Sequence, residues 1–203
     1  LSSTWKRNCE EERLLGVSLT GIMDSSLTNG SVVGLEVLSR VLQTGREIAV
    51  NTNREYADKI GISQSASVTC VKPSGTVSQL VDASSGIHAR HNPYYIRTVR
   101  ADRKDPLCKF MEDKGFPHEP CVMKPDHTMV FSFPIKSPDN ALFRTDLSAI
   151  EQLDLWLVYQ EHWCEHKPSV TITVKEHEWM DVGAWVWRNF DKVSGISFLP
   201  HTD

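Results

Sequence analysis

The residues that decide the fold are 66–80, which read ASVTCVKPSGTVSQL. The first part, from Ala66 to Val71, is rich in β-branched residues and predicts a strand. Pro73 and Gly75 then interrupt the strand, and the residues after them predict a helix that runs through Leu80. A strand that leads through a short loop into a helix is typical of an α/β protein.

The loop in this stretch carries hydroxyl side chains on Ser74, Thr76 and Ser78. Where a strand leads into a helix, unpaired backbone N–H groups and the helix dipole favour an anion, and Gly75 allows the backbone to approach it closely. The loop is not a Walker A loop, because the spacing G-x-x-x-x-G-K-[ST] is absent. The residues alone leave two interpretations open: an anion-binding loop, or a capped helix after a turn.

Strand and helix patterns alternate on both sides of this stretch. Apolar residues at helical spacing from Ser31 to Ile60 predict one long helix, interrupted only by Gly45 and ended by Gly61. Ser148 and Glu151 have the spacing of a capping box. Further strands are predicted at residues 18–23, 94–99, 128–134, 169–174 and 196–199, and further helices at 105–114, 148–163 and 179–190. The alternation predicts an α/β fold with a parallel sheet or barrel.

The composition is that of an ordinary folded protein, and it argues against nucleic acid and a membrane as partners. The net charge of −4 over 203 residues gives no reason to expect nucleic acid, and no apolar run approaches the roughly 20 residues that span a bilayer. The five cysteines are an odd number without a C-x-x-C pair, so we expect a reducing, cytoplasmic setting. His162, Cys164 and His166 fall on different helix faces, so no metal site is expected.

Four segments taken together resemble a known enzyme family. They are EERLLGVSLTGIMD at 11–24, VKPSGTVSQ at 71–79, SGIHARH at 85–91 and EHKPSVTITV at 165–174. In this order they look like the catalytic chain of adenosylcobalamin-dependent (class II) ribonucleoside-triphosphate reductases. The resemblance implies that the chain is part of a ten-stranded α/β barrel of the ribonucleotide reductase type. It also implies a cobalamin-initiated thiyl-radical reaction, which converts ribonucleoside triphosphates to 2′-deoxyribonucleotides with a thioredoxin-like reductant.

The resemblance also assigns a role to the loop and favours the anion-binding interpretation of it. In the family, the residues matching Pro73, Ser74, Gly75, Thr76 and Val77 hold the substrate phosphates. Ser78 completes the candidate phosphate-binding set, because it is the third hydroxyl residue of the same loop. In the neighbouring segment, His88 and Arg90 are further candidates for neutralising phosphate charge.

Other parts of the family pattern are absent from the sequence. None of the five cysteines lies in the Asn-Pro-Cys-Gly-Glu surrounding of the thiyl cysteine, so no catalytic residue is assigned. Ser197 and Phe198 stand where the two-subunit, iron-dependent reductases carry adjacent tyrosines, which favours a locally generated radical. We therefore expect residues 1–203 to form the C-terminal portion of a single catalytic barrel domain. By itself this fragment is expected to be inactive, with the missing barrel half in cis or on a separate chain.

Three alternatives remain open from the sequence. The chain could belong to a cobalamin-dependent ribonucleoside-diphosphate reductase, because only the closeness of the resemblance favours the triphosphate. It could also be a non-catalytic split fragment that needs a partner chain, or a stand-alone phosphate-binding α/β module.

Overall fold

The computed structural model describes residues 2–75 and 77–202. The chain divides into two compact units, Leu1–Arg90 with Asn140–Asp203 and His91–Asp139. The helices are α1 (Ser3–Glu12), α2 (Gly34–Ile60), α3 (Val77–Leu80), α4 (Pro106–Asp113), α5 (Ala149–His162) and α6 (Trp179–Arg188). The strands are β1 (Val17–Ser18), β2 (Thr69–Cys70), β3 (Tyr94–Asp102), β4 (His118–Pro120), β5 (Thr128–Lys136), β6 (Thr171–Val174) and β7 (Ser197–Pro200). The chain thus contains helices and strands mostly in alternation, which confirms the predicted α/β class.

The first unit contains parallel strand pairs, as the sequence predicts. Strand β1 pairs with β2 and strand β6 pairs with β7, both in parallel. The segment before β6 also runs beside β2, because Glu165 donates its N–H to the Thr69 carbonyl at 2.9 Å and Ser169 donates to Val71 at 3.4 Å. The predicted strand 18–23 is wrong beyond Ser18. The chain turns at Gly21, whose N–H donates to the Ser84 carbonyl at 2.7 Å, and continues as a short 3-10 helix.

The long helix α2 forms as predicted and ends at Gly61. Gly45 lies inside it without ending it. A Cβ atom at Gly45 would lie 3.3 Å from the Trp163 ring, so the missing side chain lets the indole pack closely on the helix. The glycine that interrupts the apolar pattern is therefore a packing position.

The core of the first unit is centred on α5, which begins at a capping box. Ser148 accepts the Glu151 N–H, and the Glu151 carboxylate accepts the Ser148 N–H. The face of α5 that carries Leu153 and Trp156 is fully buried. It packs with side chains of β6, α2 and α6 in one apolar cluster.

The second unit corrects the expectation of a wholly parallel sheet. Strand β5 lies between β3 and β4, and both neighbours are antiparallel to it. Because β3 and β4 are both antiparallel to β5, they run parallel to each other, and the eight-residue helix α4 forms the crossover between them and covers one face. Its Cys108 packs there against Met129 and Phe131. The order of strand and helix signals does not by itself distinguish this arrangement from a parallel unit.

Within the described part of the chain, no helix combines the length and apolar character needed to cross a membrane.

Candidate functional site

The loop predicted to bind an anion lies between β2 and α3. The Val77 N–H donates to the Ser74 carbonyl at 3.0 Å, which closes a tight turn. Gly75 occupies the left-handed region at φ +56°, and a Cβ there would meet no atom of the described residues within 4 Å. Backbone at Gly75 is therefore open to close approach by a ligand. Thr76, a member of the candidate set, lies outside the described residues.

Three hydroxyl groups from distant parts of the sequence meet at this turn, and we call Thr20, Ser74 and Ser85 the hydroxyl cluster. Ser74 donates its N–H to the Ser85 Oγ at 3.0 Å, and the two Oγ atoms lie 3.1 Å apart. The Thr20 Oγ1 lies 3.4 Å from the Ser74 Oγ and donates to the Ser84 carbonyl at 3.0 Å. Ser85 accepts from Ser74, so its own hydroxyl proton can serve a further acceptor such as a phosphate oxygen.

The remaining candidate residues of the loop have different surroundings. Pro73 and Val77 are exposed. Ser78 is buried, and its Oγ donates to the Gly75 carbonyl at 3.3 Å. The Ser78 hydroxyl therefore holds the loop in shape, whereas Ser74 and Ser85 are partly exposed. Thr20 and Ser85 were missed as site residues by sequence reasoning, although both lie in segments that carry the family resemblance.

The helix after the loop is shorter than the anion argument assumed. Helix α3 ends at Leu80 as predicted but contains only four residues. The dipole of a helix grows from many aligned peptide units, so one turn contributes little to anion binding. Hydroxyl donors and open backbone at Gly75 are the stronger basis for an anion site.

The two candidates for neutralising phosphate charge, His88 and Arg90, differ in burial and in their hydrogen-bond partners. His88 is partly buried, and its Nδ1 lies 2.7 Å from the Ser85 carbonyl, so that nitrogen is the protonated donor. Arg90 is only 4% exposed, and its guanidinium donates to both carboxylate oxygens of Asp24 at 2.9 Å. Asp24 neutralises the Arg90 charge, so the structure removes Arg90 from the groups that would neutralise phosphate.

Lys72 is the cation that the sequence argument overlooked. It is exposed at the start of the loop, and its backbone N–H donates to the Ser18 Oγ at 3.1 Å. The bond ties the loop to β1 and leaves the side chain in solvent. Its position directly before Pro73, at the start of the predicted loop, could have identified Lys72 from the sequence.

The cysteines are free thiols, and most of them are buried. Cys9 is exposed, and the other four cysteines are buried and unpaired in disulfides. Burial, with a smaller contribution from the neighbouring Cys70, raises the pKa of the Cys164 thiol to about 12. Cys164 is therefore protonated at neutral pH. In the described ranges, no three histidine, cysteine or carboxylate residues are grouped to hold a metal ion.

The fold is similar to that of a solved enzyme. The crystal structure of a B12-dependent (class II) ribonucleotide reductase superposes with a TM-score of 0.81 and 25% sequence identity. The match covers 97% of this chain and 31% of that chain. The structure thus corresponds to one segment of a class II reductase fold.

Proteins with similar sequences are reductases of one kind. The adenosylcobalamin-dependent ribonucleoside-triphosphate reductase of Euglena gracilis is 32% identical over 200 residues, which are 97% of this chain and 27% of that protein. The enzyme of the same name from Lactobacillus leichmannii is 30% identical over 217 residues, covering 95% of this chain and 29% of that protein. No protein-family model matches the chain. These matches confirm the resemblance: the chain is homologous to a segment of these reductases and spans less than a third of their length.

Proposed function

We propose that this chain supplies the substrate-phosphate-binding part of an adenosylcobalamin-dependent ribonucleoside-triphosphate reductase. The observation that carries the proposal is the hydroxyl cluster on the open Gly75 turn. It occurs in a chain that is homologous to these reductases along 97% of its length. The reaction would reduce ribonucleoside triphosphates to 2′-deoxyribonucleotides for DNA synthesis.

The chemistry of the turn suits a phosphate chain. The Ser85 hydroxyl can donate a charge-assisted hydrogen bond, which contributes about 1.5–3 kcal/mol. Lys72 adds a mobile positive charge at the start of the loop. Ser74 and Thr76 belong to the same proposed site, together with Pro73, Val77 and Ser78.

The rest of the proposed enzyme extends beyond this chain. Residues 1–203 would form the C-terminal portion of a single ten-stranded catalytic barrel, with the other half in cis or on a separate chain. The parallel pairs β1–β2 and β6–β7, joined by the segment beside β2, support this arrangement. Five unpaired cysteines support a reducing, cytoplasmic location, where a thioredoxin-like protein would supply electrons.

The groove between α2 and α5 does not fit adenosylcobalamin. The corrin ring is a broad, largely apolar surface, whereas this groove of about 480 Å³ is lined by charged side chains such as Arg46 and Glu165. In the proposed enzyme, adenosylcobalamin would supply the radical. We propose that its contacts lie in the rest of the protein.

Gly75→Ala tests the phosphate-binding proposal. We expect the KM for ribonucleoside triphosphates to rise about tenfold, equivalent to about 1.4 kcal/mol, because the new Cβ occupies the space where phosphate approaches the backbone. The measurement is steady-state reduction by the complete polypeptide that contains this sequence, with ribonucleoside diphosphate and triphosphate as separate substrates. Activity with the diphosphate alone would favour the diphosphate-reductase alternative.

A matched control separates ligand contact from backbone strain. Gly115 also has a left-handed conformation, at φ +73°, and a Cβ there would likewise meet nothing among the described atoms within 4 Å. Each substitution carries a strain of about 1–2 kcal/mol, but Gly115→Ala should leave KM unchanged. Equal KM values for the two variants would contradict the assignment of the loop.

A further inference from the structure

A buried ion pair lies beneath the hydroxyl cluster, and we call Arg90, Asp24 and Asp82 the Arg90 clamp. The Arg90 Nε and Nη2 donate to Asp24 Oδ1 and Oδ2, each at 2.9 Å. The Arg90 Nη2 also donates to the Asp82 carbonyl at 2.6 Å, and Nη1 donates to Asp82 Oδ1 at 3.3 Å. The side chains of Arg90 and Asp24 are only 3% and 12% exposed, whereas that of Asp82 is 70% exposed. The guanidinium therefore joins two separate parts of the chain.

A continuous path of hydrogen bonds leads from the Arg90 clamp to the loop. Asp24 Oδ2 accepts the Ser84 N–H at 2.7 Å. The Ser84 carbonyl in turn accepts the Thr20 Oγ1 proton at 3.0 Å. The next residue, Ser85, accepts the Ser74 N–H and contacts the Ser74 hydroxyl. The position of Ser74 and Ser85 thus depends on where the clamp holds residues 82–84.

The segment held by the clamp has little regular structure of its own. It follows the single turn of α3, and Asp82 adopts a left-handed conformation at φ +49°, which is unfavourable for a residue with a side chain. The Ala83 N–H donates to the Ser78 carbonyl at 2.9 Å, and polar contacts from outside the segment add to this bond. Arg90 supplies two of them to Asp82 and one, through Asp24, to Ser84.

The charge balance of the clamp also matters for an anion nearby. The Asp24 carboxylate contacts Ser84, the residue directly before the Ser85 donor. Without its guanidinium partner, this carboxylate would be an unpaired and largely buried negative charge close to the proposed anion site. Buried ion pairs are often no more stabilising than apolar side chains of similar volume. Their geometry and charge neutralisation can nevertheless fix a local conformation.

We propose that Arg90 is a positioning residue for substrate phosphate: it fixes the hydroxyl cluster and neutralises Asp24 beneath it, without touching the substrate. The inference rests on the proposed phosphate-binding function. Arg90 was first predicted to neutralise the phosphate directly. In this proposal, it acts on the phosphate site indirectly, by holding Ser84 and Ser85 in place. The predicted consequence is a selective loss of affinity for the phosphate part of the substrate.

Arg90→Lys in the complete polypeptide is the principal test, because lysine keeps the charge but cannot form the two-pronged contact with Asp24. The probes are inorganic tripolyphosphate and an unphosphorylated ribonucleoside, each measured as a competitive inhibitor of reduction. We expect the inhibition constant of tripolyphosphate to rise about tenfold, equivalent to about 1.4 kcal/mol, and that of the nucleoside to change less than about twofold. Arg103→Lys, at an exposed arginine that donates to the Pro125 carbonyl, is the matched control and should change neither constant.

Asp82→Asn provides a second variant if Arg90→Lys fails to fold. Asparagine tolerates the left-handed conformation and keeps the carbonyl contact, but it weakens the charged contact with Arg90. The tripolyphosphate constant should then rise about two- to threefold, equivalent to about 0.5 kcal/mol, with the nucleoside constant unchanged.

The outcomes distinguish this inference from the proposed function. If tripolyphosphate does not inhibit the wild-type enzyme, the phosphate-binding function is wrong and this inference falls with it. If tripolyphosphate inhibits wild type but the variants leave its constant unchanged, the positioning role alone is overturned. Equal weakening of both inhibitors would assign Arg90 a general structural role and would also overturn it.

Discussion

Replacing Trp156 with alanine is expected to lower the free energy of unfolding by about 3–5 kcal/mol, the range for a large buried aromatic residue. The Trp156 side chain is fully buried in the apolar cluster around α5. Its indole Nε1 also donates to the Pro168 carbonyl at 3.2 Å. Alanine would leave both a cavity and a buried carbonyl without its donor. Urea unfolding followed by far-ultraviolet circular dichroism measures the loss.

Two further variants separate the contributions. Trp187 lies on α6 and is 84% exposed, so Trp187→Ala repeats the chemical change without a cavity and should change stability by less than about 0.5 kcal/mol. Trp156→Phe keeps most of the ring volume and removes the hydrogen bond, so we expect a loss of about 1–3 kcal/mol. If Trp156→Ala and Trp187→Ala unfold at the same urea concentration, α5 is not the centre of the core.

Local signals predicted five of the six helices in the described residues, all except α1, because neighbouring residues decide where a helix begins and ends. Ser148 and Glu151 form the capping box that their spacing indicates, and Gly61 ends α2 in the left-handed conformation. The strands were less predictable. Only Thr69 and Cys70 of the predicted strand 66–71 pair with β1. Strand length depends on which partner is available, and a residue's own β propensity does not contain that information.

The site was predictable only in part, for the same reason. The loop around Gly75 was found because all of its residues are adjacent in sequence. Arg90 was interpreted as a phosphate-neutralising group, since sequence shows its charge but not the Asp24 carboxylate that lies 66 residues away and pairs with it. Thr20 and Ser85 also join the cluster only through folding, and their hydroxyls carry no distinctive pattern.

Replacing Glu178 with glutamine is expected to lower the free energy of unfolding, because Glu178 holds the start of α5. Glu178 is buried, and its carboxylate accepts the Ala149 N–H at 3.0 Å and the Lys175 N–H at 2.8 Å. Ala149 is the first residue of α5, so the carboxylate satisfies a donor that has no partner within the helix. Glutamine keeps one acceptor but turns an amide donor toward the second N–H. We expect a loss of about 2–3 kcal/mol at neutral pH by urea unfolding.

The pH dependence of this loss gives a sharper test of the charge itself. Burial raises the pKa of the Glu178 carboxyl, but hydrogen bonds from Lys175 and Ala149, together with the positive charge of Lys175, outweigh it and hold the pKa below the ordinary value of 4.5. A lowered pKa stabilises the fold above the unfolded value, and this stability is lost as the pH falls through the folded value. The difference between wild type and Glu178→Gln should therefore stay constant above about pH 6 and shrink below about pH 4.5. Glu176→Gln, at an exposed residue of the same turn, removes an equal charge and is the control. The difference in the free energy of unfolding between wild type and Glu176→Gln should not change with pH. A gap for Glu178→Gln that remains constant down to about pH 3 would mean that packing, and not the carboxylate charge, holds Glu178 against α5.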